Sequence, residues 1–217
     1  KVMTALLVLE AVDAGKLTLD TPITATAEAL EVPEDSSVAG IQVGDTYTVE
    51  QFLYCLLLPS GNEVAQILAI TVDGSIEAFV EHMNRRAEEL GCQGTHFVNT
   101  HGYHDDNHYT TAYDITRFMK AAMEYDLFQT ILTSPNYTLP ANGVSEERII
   151  RNTNALTSNY RYPGYLYGPG TGGKTGTTVE AGNCLVETAR EGDMYLISVI
   201  LGAEEVELDN GDVDRRQ

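Results

Sequence analysis

Basic residues are scarce in this chain. Only 13 Lys and Arg stand against 32 Asp and Glu, a formal charge of -19. None of the 13 falls between Leu17 and Asn84, a stretch that holds eleven acids. Nucleic-acid binding needs clustered Lys and Arg to displace counterions from phosphates, so that class is excluded and the acids read as a solvated, solubilising surface. No apolar run approaches the ~18 to 20 residues that cross a bilayer, and no charged-then-apolar leader opens the sequence. Cysteine is sparse as well. Cys55, Cys92 and Cys184 are odd in number and lack metal-like spacing, which argues against a disulfide scaffold and makes Cys55 and Cys184 small buried hydrophobes. Methionine is missing from the first position, where Lys1 stands, so the 217 residues are expected to be a fragment.

What is present suits one domain with a substantial core, the hydrophobic share being 43%. Apolar residues recur at helical spacing from Lys1 to Val12, and Gly15 stops that helix. Thr48-x-x-Gln51 is a capping box that opens a helix through Leu58; Pro59 ends it, and helical character resumes from Asn62 to Thr71. Ser75 caps a helix from Ile76 to Leu90, and Thr111-x-x-Asp114 caps another from Ala112 to about Glu124. From Arg148 onward the pattern turns to short β-rich runs: Arg148 to Asn152, Gly172 to Thr178, Asn183 to Ala189 and Met194 to Leu201, the last two forming a hairpin. Tyr160 to Gly173 reads as a long loop leading into the Lys174 strand. The expectation is an α+β domain spanning 1–217, helical over about 16–130 with sheet strands mainly from about 148 onward.

Two short segments carry candidate chemistry. Ser60-Gly61-Asn62 falls at a helix-to-helix turn, and Lys174-Thr175-Gly176 lies in a glycine-flanked strand. Each alone is a weak signal, since turns favour Ser, Gly and Asn for conformational reasons. Their order, and the Lys1-Val2-Met3-Thr4 helix that leads them, raises the odds. Together with Phe97-Val98-Asn99-Thr100-His101-Gly102, Tyr109-Thr110-Thr111-Ala112-Tyr113-Asp114, Asn152-Thr153-Asn154 and Gly172-Gly173-Lys174-Thr175-Gly176-Thr177-Thr178 they run nearly the whole chain. In this order they resemble the low-molecular-mass penicillin-binding proteins that act as serine-type D-alanyl-D-alanine carboxypeptidases, whose trio is S-x-x-K, S-x-N and K-T-G.

The resemblance implies a β-lactamase/transpeptidase-like fold, an antiparallel sheet packed with helices, with the N-terminal strands missing. It also implies roles. Lys1 matches the first-motif lysine that takes the proton of the nucleophilic serine; that needs a neutral amine, hence desolvation and a nearby positive charge, which Lys174 would supply. Ser60 matches the serine that relays a proton to the leaving amine, and Asn62 the amide that holds substrate and lysine. Lys174, Thr175 and Thr177 match the strand that pairs with the substrate backbone and receives its carboxylate, with the Thr177 N–H as one oxyanion donor and Gly176 leaving room for the acyl group. The nucleophilic serine itself would stand one helical turn ahead of Lys1. No Ser here is followed three positions later by Lys, so the chain alone is expected to be inactive.

The substrate implied is a peptidoglycan stem peptide ending in D-Ala-D-Ala, with β-lactam antibiotics acylating the same serine, no cofactor, and an extracytoplasmic location. Exposed sheet edges would favour dimerisation or strand exchange of the isolated chain. A β-lactamase is the second enzyme reading, although no glutamate-bearing loop of that family is matched, and a non-catalytic homologue that binds peptidoglycan or a partner is the third. His96, His101, His104 and His108 with Asp105, Asp106 and Asp114 suggest a metal cluster, but their spacing is that of a surface loop. Tyr160, Tyr162, Tyr165 and Tyr167 are read as loop packing rather than as part of the site.

Overall fold

The helix α1 (Val2–Asp13) is apolar on every side, and Met3, Ala5, Leu6, Leu7 and Val8 are all 1% exposed or less. A helix hydrophobic all round belongs in a core rather than on a surface. Accordingly α1 runs through the middle of the helical region and touches α2 (Val49–Leu57), α3 (Asn62–Asp73), α4 (Ile76–Glu89) and α5 (Ala112–Ala122). These are the ranges of a computed structural model that describes residues 1–207 and 213–215, with side chains through 204.

The expected capping signals act as such. Thr48 accepts from Gln51 N while Gln51 Oε1 accepts from Thr48 N, and Ser75 and Thr111 accept from Ala78 N and Asp114 N. Each satisfies an orphan donor of a first helical turn. Two short elements ahead of α2, β1 (Pro22–Thr24) and β2 (Thr46–Thr48), pair antiparallel and frame a long loop that folds back over the junction of α2 and α3.

Past α5 come α6 (Asp126–Thr133) and β3 (Asn136–Leu139), which the sequence pattern did not reveal. The strand expected at Arg148, β4 (Arg148–Arg151), pairs with β3 in a separate two-stranded hairpin rather than joining the main sheet. That main sheet has the order β5 (Gly170–Thr178), β6 (Gly182–Glu191), β7 (Met194–Ala203), antiparallel throughout, and the β6–β7 hairpin is the expected one. A further pair, β8 (Glu205–Glu207) with β9 (Val213–Arg215), follows. Helices α5 and α6 pack on the sheet from one side, with Val186, Ile197 and Val199 joining the core. Gly172 has φ +98°, and a Cβ there would meet the Leu132 backbone carbon at 2.8 Å, so glycine lets α6 press against β5.

Candidate active site

Lys1 is the N-cap residue of α1, so the buried helix carries its side chain to the foot of a cleft. Thr4 Oγ1 donates to the Thr100 carbonyl at 2.5 Å and ties the first turn to the 99–103 loop. Lys1 Nζ donates to Asn62 Oδ1 at 2.6 Å and to the His101 carbonyl at 2.8 Å. Burial first, and then the charge of Lys174, push this amine well below its ordinary 10.5, with Glu63 pulling the other way. A neutral amine has two N–H bonds. Both are committed to these acceptors, which leaves the lone pair directed away from them and free to take a proton.

Ser60 and Asn62 reach the cleft because α2 ends at Leu57 and α3 starts after one tight turn. Ser60 is the single non-glycine residue with positive φ (+67°) among the described residues, a strained conformation of the sort that clusters at functional sites. At Gly61 a Cβ would lie 2.9 Å from the Cys55 carbonyl oxygen and 3.2 Å from Ala39 Cβ, so the turn closes only around glycine. The Asn62 backbone N–H donates to the Ser37 carbonyl at 2.8 Å, and buried Glu63 accepts from Ala39 N at 2.7 Å. Loop 37–41 is thereby fixed as a second layer of this wall.

The opposite wall is β5. It is the edge of its sheet among the described residues, and the free edge leaves backbone donors and acceptors for an extended peptide to pair with. Lys174 is 7% exposed, and burial together with the nearby Arg161 charge lowers its amine to about 7. Thr175 Oγ1 shares a hydrogen bond with Thr153 Oγ1 at 2.7 Å, and Thr177 Oγ1 donates to Asn183 Oδ1 at 3.1 Å. A Cβ on Gly176 would meet only Cys184 Cβ, at 3.8 Å, so the space above it is open.

All seven residues singled out from the sequence, Lys1, Ser60, Asn62, Lys174, Thr175, Gly176 and Thr177, line one cavity of about 1080 Å³. A small recess of about 70 Å³ adjoins it, lined by Ser60, Thr175 and Thr177 together with Arg161 and Tyr162. The sequence reads Tyr162 as loop packing and does not single out Arg161; nothing in a stretch rich in Tyr, Gly and Pro marks which of its members turns inward. His101 contributes a carbonyl, a role no side-chain motif reveals. Its imidazole is lowered to about 3, chiefly by burial and then by Lys1, and His108 falls to about 4 for the first of these reasons. Tyr103 donates to Asp35 Oδ1 at 2.8 Å and joins two loops at the rim.

The sequence profile of the D-alanyl-D-alanine carboxypeptidase family matches residues 1–205. The chain belongs to that family. Among curated relatives, the D-alanyl-D-alanine carboxypeptidase DacF of Bacillus subtilis (strain 168) is 33% identical over 208 residues, covering 94% of this chain and 50% of its own length. The D-alanyl-D-alanine carboxypeptidase of Streptomyces sp. (strain K15) is 33% identical over 220 residues, covering 95% of this chain and 72% of its own. The chain spans about half the length of the Bacillus relative and of DacC from Escherichia coli. The crystal structure of the Streptomyces K15 DD-transpeptidase superposes with a TM-score of 0.83 at 31% identity, over 94% of this chain and 78% of that one. The fold is therefore the penicillin-binding, transpeptidase-like one, α+β as the sequence implied. Among the described residues no three His, Cys, Asp or Glu side chains converge as metal ligands, and His96, His101 and His108 use Nδ1 for local hydrogen bonds.

The cleft sets a buried amine whose pKa is lowered on one wall against basic side chains and hydroxyls on the other. Lys174 lines the cleft and Arg161 its recess, two basic side chains close together in a chain of charge -19, where they can attract an anion.

Proposed function

We propose that the full-length protein is a serine-type D-alanyl-D-alanine carboxypeptidase acting on peptidoglycan stem peptides outside the cytoplasm, and that β-lactams acylate it. The observation that carries this reading is the pair of hydrogen bonds from Lys1 Nζ to Asn62 Oδ1 and the His101 carbonyl, in the cavity that also holds Ser60, Lys174 and Thr175. Lys1 takes the proton of a serine hydroxyl one helical turn ahead of it, and the oxygen attacks the carbonyl of the penultimate D-Ala. The Thr177 N–H helps hold the oxyanion, and Ser60 passes a proton to the departing amine of the last D-Ala. Lys174, Thr175 and Arg161 receive its carboxylate. Water then hydrolyses the ester, and Lys1 serves again as the base. No helix of the described residues is long and apolar enough to cross a membrane.

The test is acylation of the full-length protein by a fluorescent penicillin, followed by mass spectrometry of the labelled peptide. An adduct on a serine three positions ahead of Lys1, together with release of D-Ala from a D-Ala-D-Ala peptide, is expected. A folded full-length protein that neither forms the adduct nor releases D-Ala refutes the reading.

A further inference from the structure

Glu187 lies in the middle of β6, 7% exposed, on the face that carries Gly173 of the neighbouring strand. A Cβ on Gly173 would collide with Glu187 Oε2, so glycine at 173 is what lets the carboxyl cross behind β5. Beyond the strand, Oε2 accepts from Asn154 Nδ2 at 2.6 Å. Asn154 is itself fixed, since its N–H donates to Asn152 Oδ1 at 2.9 Å, and Asn152 Nδ2 in turn caps the carbonyls of Leu132 and Ser134. Between these two asparagines stands Thr153, whose hydroxyl meets that of Thr175 at 2.7 Å in the cleft wall.

Stability does not explain an acid at this position. Glu187 Oε1 is buried with no hydrogen-bond partner among the described residues, and burial raises the carboxyl to about 7. An apolar side chain would fill the same space without that penalty. What the acid does provide is an acceptor for Asn154, and hence a fixed place for Thr153.

We propose that Glu187 is a positioning residue: through Asn154 and Thr153 it sets the direction of the Thr175 hydroxyl, and with it the preference for a substrate bearing a free C-terminal carboxylate. This rests on the reading above, in which Thr175 receives that carboxylate. Glu187 touches no substrate. It acts on the strand wall from behind, across a gap that Gly173 leaves open.

The experiment compares two peptides on the full-length protein, one ending in D-Ala-D-Ala with a free carboxylate and one with the same sequence as a C-terminal amide. The readout is the ratio of their kcat/KM values, with KM and kcat resolved. Thr175→Val is the reference and should lower the ratio. Glu187→Leu, which keeps the volume and removes the acceptor, is expected to lower it roughly tenfold, mainly through KM of the carboxylate peptide, and Asn154→Ala should do the same. Glu187→Gln keeps an acceptor for Asn154 and should stay within about twofold of the parent. If Thr175→Val lowers the ratio while a folded Glu187→Leu leaves it unchanged, Glu187 has no positioning role and the reading of the cleft stands. If Thr175→Val leaves it unchanged, the assignment of Thr175 fails and this inference fails with it. Should Glu187→Leu not fold, Asn154→Ala decides on the same terms.

Discussion

The two walls of the cleft are built on opposite principles. The helical wall stands on the hydrophobic core: Lys1 begins a helix whose next eight residues are buried, and Asn62 is 4% exposed at the start of α3. The strand wall stands on a sheet with one face in the core and the other partly bare. On β7 the residues Met194, Leu196 and Ile200 project from that outer face at 53%, 53% and 38% exposure. Behind β5 the support is polar, the Glu187–Asn154 contact. Dense apolar packing fixes geometry and desolvates, which suits a lysine that must be neutral. An edge strand with polar backing suits pairing with an arriving peptide, because its hydrogen bonds are left to be made.

The largest effect should come from the helical wall. Lys1→Met keeps the apolar stem and removes the base, so acylation of the full-length protein by penicillin should fall roughly 10⁴-fold, or about 5.5 kcal/mol of barrier. Stopped-flow acylation rates measure it, and a loss under about tenfold would move the base elsewhere. Next is Leu6→Ala under the same wall. Leu6 is 0% exposed, and the cavity left should cost about 3 to 5 kcal/mol in urea unfolding.

On the strand wall the effects are smaller and depend on pH. The Glu187 carboxyl moves from an ordinary 4.5 to about 7 on folding, so the folded state holds the extra proton between those values. Stability therefore falls as pH rises from 4.5 to 7 and is flat above. Glu187→Gln removes that loss: its advantage should be near zero below pH 4.5 and approach roughly 3 kcal/mol above pH 7, read from chemical denaturation at a series of pH values. For Lys174 the sign concerns binding. Its amine is cationic below about 7, so kcat/KM for a carboxylate substrate should decline as pH rises past that value. Lys174→Arg keeps its charge throughout and should abolish the alkaline decline, a gain of roughly tenfold relative to the parent profile at pH 9.

The helical wall was also the more legible of the two in the sequence. Its helices announce themselves through local chemistry, Thr48 with Gln51, Ser75 and Thr111, each acting within four residues. On the strand wall the sequence marked the strand Gly172 to Thr178 with Lys174, Thr175, Gly176 and Thr177, and the Asn152-Thr153-Asn154 segment, but not what joins them. Its supports come from distant chain segments: Asn154 is 33 residues from Glu187, and Thr153 is 22 from Thr175. Within β6 Glu187 reads as one more surface acid in an acid-rich chain. The double glycine at 172–173 was the available clue, and it answers two demands at once, the approach of Leu132 to one residue and the passage of Glu187 beside the other. Helix α6 carries no capping signal, since its N-cap, Tyr125, makes no side-chain cap bond, and β3, four residues long, carries no strand signal to match the one at Arg148 that marks β4, its hairpin partner.

The smallest effect separates packed from bare apolar surface. Leu196 and Leu6 are the same side chain on the two sides of the comparison, one 53% exposed and the other fully buried. In the 217-residue chain Leu196→Ser should change unfolding free energy by no more than about 0.5 kcal/mol, since most of the contact area it could lose is already in water. A loss above about 1.5 kcal/mol would mean that this face is covered in solution. Light scattering at several concentrations then tells how: a loss that grows as a dimer forms points to a second copy seated on β7, and a loss that ignores concentration points to a segment of the same chain.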